Sequence, residues 1–198
     1  MVIKIAHITH LQDARYCAAM GFPFISFSLL ADNKRTLTAQ QIREITAWLS
    51  GIKSVLEVNE ASIAALQAIH GTFPYHYIEI PQADWQGFSF LPPVPFIVQA
   101  RENIEHAELA ALIASLQAHH QDSKVEIHVA SDKDYLKYEA FFPHLFLHFS
   151  QLDSFSIRLN EAENKPWGFS FREEALDIDG NLDYESLDAI CEALTTLA

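Results

Sequence analysis

Short apolar runs rich in β-branched and aromatic residues alternate along the chain with stretches whose apolar residues fall at helical spacing. The runs at residues 3–8, 24–30, 54–59, 75–80, 96–101, 124–130, 145–150 and 167–172 predict eight strands. Residues 11–20 predict a helix closed by Gly21. The clearest helix spans 38–50. There Thr38 and Gln41 form a capping box, Leu37 can staple onto Ile42, and Gly51 ends the element. Asn59 opens a helix carrying Ile63, Leu66 and Ile69. Asn103 opens one with Leu109, Leu112, Ile113 and Leu116 inward. Ser131, with Asp134 three residues on, opens one reaching Phe141. A closing helix covers 183–197, with Leu187, Ile190, Cys191 and Leu194 on one face.

Strands that each feed a helix imply a parallel sheet with helical crossovers. Eight such units close a (β/α)8 barrel, whereas a doubly wound open sheet usually has five or six strands. No G-x-G-x-x-G and no P-loop supports a nucleotide-binding alternative. The expected fold is therefore α/β, a compact (β/α)8 TIM barrel occupying 1–198 as one domain. Residues 81–95, with Gly87, Pro92, Pro93 and Pro95, cannot sustain a full helix, so the fourth helix is trimmed. The loops after strands seven and eight are expected to be short.

Composition narrows the function. The chain has 198 residues, 49% hydrophobic and 20% charged, as an ordinary globular protein does. Thirteen basic residues stand against 26 acidic ones, a formal net charge of -13. That argues against nucleic acid and an anionic membrane surface as partners and weighs weakly against a phosphorylated substrate. A local site for a small anionic metabolite stays compatible with it, as does a homo-oligomer or protein partner. No apolar run is long enough to span a membrane, and the first residues lack a basic, then apolar, leader pattern, so the expected compartment is the cytoplasm. Cys17 and Cys191 lie on buried helical stripes and have no metal spacing. No cofactor or metal is expected.

The segments IKIAHITHLQDARYCAAMGFPFISFSLL, NKRTLTAQQIREI and SVLEVN, with GNLDYESLDAICEAL near the end, resemble phosphoribosylanthranilate isomerase of tryptophan biosynthesis. The likeness covers about residues 2–59 and 180–195. It implies a (β/α)8 barrel that converts an aminoaldose phosphate to an aminoketose. In that family a cysteine ending strand one is the general base and an aspartate ending strand six is the general acid. Glycine-rich turns after strands seven and eight hold the phosphate.

This chain departs from that pattern at each position. Ala6 stands where K-I-C-G-I-T has its cysteine, and His7 where it has its glycine. Ala130 stands at the acid's position. Leu147, His148, Phe149, Ser150 and Gln151 replace L-A-G-G-L, and Ser170, Phe171, Arg172, Glu173 and Glu174 replace S-S-G-V-E. General acid–base catalysis contributes ~10²–10⁴-fold, so loss of both partners leaves little isomerase activity. The resemblance thus implies a divergent member, acting as a binding or partner protein; the alternatives are an enzyme of altered specificity, with isomerase- or lyase-type acid–base chemistry on a small carboxylated or phosphorylated metabolite, or the ancestral isomerase with an unconventional base.

Replacement chemistry has candidates. Strand alternation puts Glu126 and His128 on the face of Ala130, with His7 and His148 near other strand ends and Glu57 and Glu79 on strands three and four. His7, Glu126 and His128 are the candidate catalytic residues, and His7, His128, His148 and Glu126 the candidates for an acid–base or zinc site. Lys4 and Arg35 are the candidate substrate-binding residues, Arg35 as a forked clamp on a carboxylate. The plainer expectation is a paired polar core, with Lys4 against Glu126 or Glu57. Phe149 and Phe171 are candidates to plug the mouth. His119 and His120 are expected in solvent at a helix end, and the segment 85–90 over a barrel end or in an oligomer contact.

Overall fold

Eight parallel strands hydrogen-bond side by side in chain order and close on themselves, the eighth against the first. They are β1 (Val2–Ile5), β2 (Phe24–Ser28), β3 (Lys53–Glu57), β4 (Tyr77–Pro81), β5 (Phe96–Ala100), β6 (Lys124–Val129), β7 (Leu145–Phe149) and β8 (Gly168–Phe171). The structure, a computed structural model, describes residues 2–30, 35–71, 74–90, 92–129, 135–149, 164–172 and 182–195. The loops following β7 and β8 lie outside these residues, as do Ala130, Ser131, Asp134, Glu173 and Glu174 and the side chain of Phe149.

The helices are α1 (Leu11–Ala19), α2 (Ala39–Thr46), α3 (Ile63–Ile69), α4 (Gln82–Trp85), α5 (His106–His119) and α6 (Tyr184–Thr195). The capping box forms as read: Thr38 Oγ1 accepts from Gln41 N–H and the Gln41 side chain accepts from Thr38 N–H. Asn59 caps a single 3₁₀ turn, Glu60–Ser62, that leads into α3. Asn103 caps nothing. It has a φ of 55°, and α5 starts after Glu105 without a side-chain cap. The connection after β6 contains a 3₁₀ helix, Leu136–His144, with Pro143 next to its end.

α4 is a single turn. Trp85 and Phe88 fill the gap it leaves on the outer wall, with ring centroids 5.1 and 6.1 Å from that of Phe96. This segment therefore covers the barrel's side rather than an end. His119 belongs to the same packing, its ring centroid 5.2 Å from that of Phe96, and its Nε2 is buried without a hydrogen-bond partner among the described residues, so it is not a solvated helix terminus.

In parallel ladders register partners face the same way, so the pairing identifies the interior. At the N-terminal end Phe24, Val55, Tyr77, Ile97 and Phe146 pack with Val2 and Trp167 into an apolar floor. Gly168 is required here: a Cβ would lie 2.6 Å from the Val2 carbonyl oxygen and 2.8 Å from Phe146 Cε1. Outward-facing Ile5, Ile25, Ile78, Val98, Ile127 and Phe171 join the layer under the helices. Phe171 therefore packs away from the mouth and does not plug it.

Candidate functional site

Above the aromatic floor the interior becomes polar. The ladder Ser28–Glu57–Glu79 continues the inward face across β2, β3 and β4, and Gln99–Glu126 does so across β5 and β6. Barrel interiors are ordinarily filled by Val, Ile and Leu. Three buried glutamates there need cations, because an unpaired buried charge is strongly unfavourable.

Two cations meet them. Lys4, fully buried on β1, places Nζ 2.6 Å from Glu79 Oε2 and 2.5 Å from Glu126 Oε2. Arg172, the residue after β8, turns its side chain inward. Nη1 donates to Glu57 Oε1 at 2.8 Å, Nη2 to Glu79 Oε1 and, at 2.9 Å, to Glu126 Oε1, and Nε to Glu126 Oε1 at 3.1 Å. A guanidinium has five N–H donors. Four are thereby committed to carboxylates, and the fifth, on Nη1, faces His7 Nε2 at 3.5 Å. Gln99 ties Glu57 to Glu79, donating at 3.1 and 2.8 Å.

His7 stands at the exit of β1. Its backbone is left-handed, φ 60°, in the position where the resemblance puts a glycine. The flanking chain is held on both sides: Ala6 N–H donates to the Phe171 carbonyl, His7 N–H to Ser26 Oγ, and Ile8 N–H to the Ser26 carbonyl. The turn aims the ring at Glu57, with Nε2 2.8 Å from Oε2. Burial pushes the Glu57 carboxyl up. The His7 hydrogen bond and the charges of Arg172 and His7 outweigh it and hold the group at about 2. Burial likewise raises Glu126, but Lys4 and Arg172, with His148 nearby, keep it well below the carboxylate range. Burial opposes the Arg172 charge, and Glu126, Glu79 and Glu57 more than reverse this.

The proton between His7 and Glu57 can then be located. Glu57 is ionised and already accepts from Arg172 and Gln99, so Nε2 carries the hydrogen and donates it. With Nε2 a donor, the 3.5 Å approach of Arg172 Nη1 is a contact and not a hydrogen bond.

Of the other candidate histidines, His148 lies near Glu126, while His128 stands apart from the cluster. His128 is a third exposed at the rim, where Nδ1 lies 3.1 Å from Glu102 Oε1, and its ring centroid is 4.8 Å from that of His148. Among the described residues no three His, Cys, Asp or Glu are arranged to hold a metal ion. Ser170, fully buried and in register with Lys4 and His148, has a hydroxyl without a hydrogen-bond partner among the described residues. Ala6 is completely buried. Arg35 is half-buried just before the Ser28–Thr36 bridge that returns the chain to the C-terminal end of β2. The expected Lys4–Glu126 pair is present, while Glu57 takes Arg172 and His7 instead of Lys4. Arg172, the hub, was missed as a functional residue. Its sequence signal is a cation two residues after an inward-facing serine, and so on the same face of the chain.

A cavity of about 300 Å³ lies away from the mouth, on the outer wall between β2, α2 and β3, lined by Ile25, Thr46, Leu49 and His76 among others. No described helix is long and apolar enough to cross a membrane.

The sequence matches no protein-family model and no curated protein. Solved structures do match. A phosphoribosylanthranilate isomerase in complex with reduced 1-(o-carboxyphenylamino)-1-deoxyribulose 5-phosphate is similar over 100% of both chains, with a TM-score of 0.78 and 14% identity. The enzyme of that name from Thermus thermophilus is similar over 100% of both chains, at 0.76 and 15%. That from Pyrococcus furiosus is similar over 99% of both, at 0.73 and 13%. At such identity the likeness is one of fold.

Proposed function

We propose that this chain is a barrel of the phosphoribosylanthranilate isomerase type that does not perform that isomerisation and serves as a binding protein for a small molecule at its mouth. The observation that carries this reading is the commitment of Arg172. Its guanidinium sits among the inward-facing carboxylates, and four of its five donors are spent on Glu57, Glu79 and Glu126. It is a poor anion cradle in that state, because turning any of those four donors to a phosphate would abandon a buried carboxylate. Ala6, a buried methyl, has no proton to exchange where the resemblance implies the general base.

The test is calorimetric titration of the full chain with the reduced deoxyribulose phosphate analogue that the similar isomerase binds. The expected result is no saturable heat up to roughly millimolar ligand. Saturable binding that disappears in Arg35→Ala would overturn the reading.

A second reading, an enzyme of altered specificity, is favoured by one observation. His7 is held in a left-handed conformation beside an ionised carboxylate at a strand's C-terminal end, and backbone strain of this kind concentrates at active sites.

A further inference from the structure

The outer wall has a gap where α2 ends. Ile42, Ile45 and Leu49 fall at helical spacing, as one apolar stripe facing β2 and β3 would. The helix stops at Thr46, so Ile42 and Ile45 are buried while Leu49 is only half-buried. The cavity of about 300 Å³ opens at this place, and Ile25, Leu49, Ile52 and Pro74 make its walls apolar. That volume is at the lower end of the ~300–1,000 Å³ of small-molecule sites. Ser54 also lines it, three residues before Glu57 on β3, so about 10 Å of strand separates the cavity from the polar interior.

Two side chains on this wall have donors to spare. Ser54 N–H donates to His76 Nδ1 at 3.1 Å. A nitrogen that accepts this bond carries no hydrogen, so the ring is neutral with its hydrogen on Nε2. Desolvation and the charge of Lys53 push the pKa of His76 down, in agreement with that form. Nε2 makes no hydrogen bond among the described residues. Arg43, exposed on α2, lines the same cavity and forms no ion pair among them. No carboxylate is among the described residues that line it. Of the charges around it, Lys53 acts on His76 and Arg15 lies over the Trp48 ring, while Glu44 accepts from Gln40 and Asp122 bears on Tyr77 and Lys124. The negative end of the α2 dipole is also here. Its carbonyls are occupied: those of Arg43, Ile45 and Thr46 accept from the N–H groups of Ala47, Trp48 and Leu49, and that of Ile42 from the Thr46 hydroxyl. The full charge at the cavity itself is therefore positive.

We infer that this cavity is a separate binding site for a small aromatic carboxylate, whose ring packs on Ile25, Leu49 and Ile52 and whose acid group accepts from the Arg43 guanidinium and from His76 Nε2–H. A guanidinium and a carboxylate match as a forked pair. At a net charge of -13 the chain as a whole repels anions. Whatever holds one here is local, and a ringless anion gains the Arg43 contact without the apolar wall. The site is independent of the reading proposed for the mouth.

The experiment is solution NMR on the full chain at pH 7 with ¹⁵N-labelled histidine, titrated separately with phenylacetate, phenethylamine and acetate. The expected spectrum of the unliganded protein shows neutral His76 with hydrogen on Nε2. Phenylacetate moves the His76 Nε2 signal saturably, with a Kd on the order of millimolar for so small a probe, and leaves His7 in place. Arg43→Gln, at an exposed position, keeps the fold and weakens phenylacetate by about three- to tenfold. Hydrogen found on Nδ1 of His76 overturns the inference, as does phenylacetate binding unchanged in Arg43→Gln. Equal binding of phenethylamine overturns the ligand's charge, and equal binding of acetate means an adventitious ion only. Binding that appears only in Phe73→Ala means that this neighbouring side chain, outside the described residues, takes the cavity, and overturns the site. A phenylacetate shift at His7 in place of His76 puts the ligand in the mouth and overturns it too. If no probe moves His76 saturably, the inference fails while the reading of the mouth stands.

Discussion

Replacing Arg172 by Met removes the guanidinium while keeping much of the side chain's volume. Three carboxylates then remain in the barrel with Lys4 alone, and Glu57 loses its only full cation. Breaking a buried ion pair from one side costs about 3–5 kcal/mol, because the partner is left charged and unpaired. Here the remaining carboxylates can protonate, so the penalty depends on pH. In the native protein Glu57 and Glu126 stay ionised to low pH. Without Arg172, burial dominates, their folded values rise above those in the unfolded chain, and proton uptake relieves the penalty. The measurement is urea unfolding of both proteins at pH 7 and pH 4.5. The expected loss is about 3–5 kcal/mol at pH 7, or roughly 6–20 °C in Tm for a chain of this size, and clearly less at pH 4.5. A second variant, Arg172→Met with Glu79→Gln, should recover part of the loss at pH 7. A loss under about 0.5 kcal/mol, the range of ordinary surface substitutions, or one equal at both pH values, would refute the idea that Arg172 is the counter-charge of this cluster.

Glu57 also sets an acid limit. Its folded value of about 2 lies below the ordinary 4.5, so its contribution is full above 4.5 and is lost as pH falls through 2. That amounts to about 3 kcal/mol, and acid titration of stability should be visibly flatter in Glu57→Gln. At His7, with φ 60°, glycine accepts the backbone freely and alanine does not. His7→Gly should therefore unfold at higher urea than His7→Ala, by about 1 kcal/mol, although both lose the Glu57 contact; equal midpoints would mean that the turn is not left-handed. Gly168→Ala forces a Cβ against the Val2 carbonyl and the Phe146 ring and should cost about 1–3 kcal/mol by thermal unfolding.

The barrel was legible because parallel strands are buried on both faces and so read as uninterrupted apolar runs. Helix starts were less so. Thr38 and Gln41 bring both halves of a capping box and were read correctly, whereas Asn103 looks like a cap yet occupies a left-handed turn. The polar interior was half legible. Glu57, Glu79 and Glu126 interrupt apolar runs and announce a need for cations, and the Lys4–Glu126 pair was among the expected outcomes. Arg172 was not legible as the hub. Its partners lie 115, 93 and 46 positions away and become neighbours only when β8 closes on β1. Depth along the barrel was also hidden. Counting residues puts His128 below the rim, but strands tilt in a closed barrel, so equal counts do not mean equal heights. His128 instead ends beside Glu102.

The central claim is that a barrel of this fold has exchanged its isomerase chemistry for a self-neutralised mouth. Its most direct test is turnover: purified protein at high concentration with phosphoribosylanthranilate as substrate, followed by loss of the substrate's fluorescence. The account predicts a rate equal to that of buffer alone for the native chain and for His7→Ala. Clear turnover by the native chain that His7→Ala abolishes would contradict it.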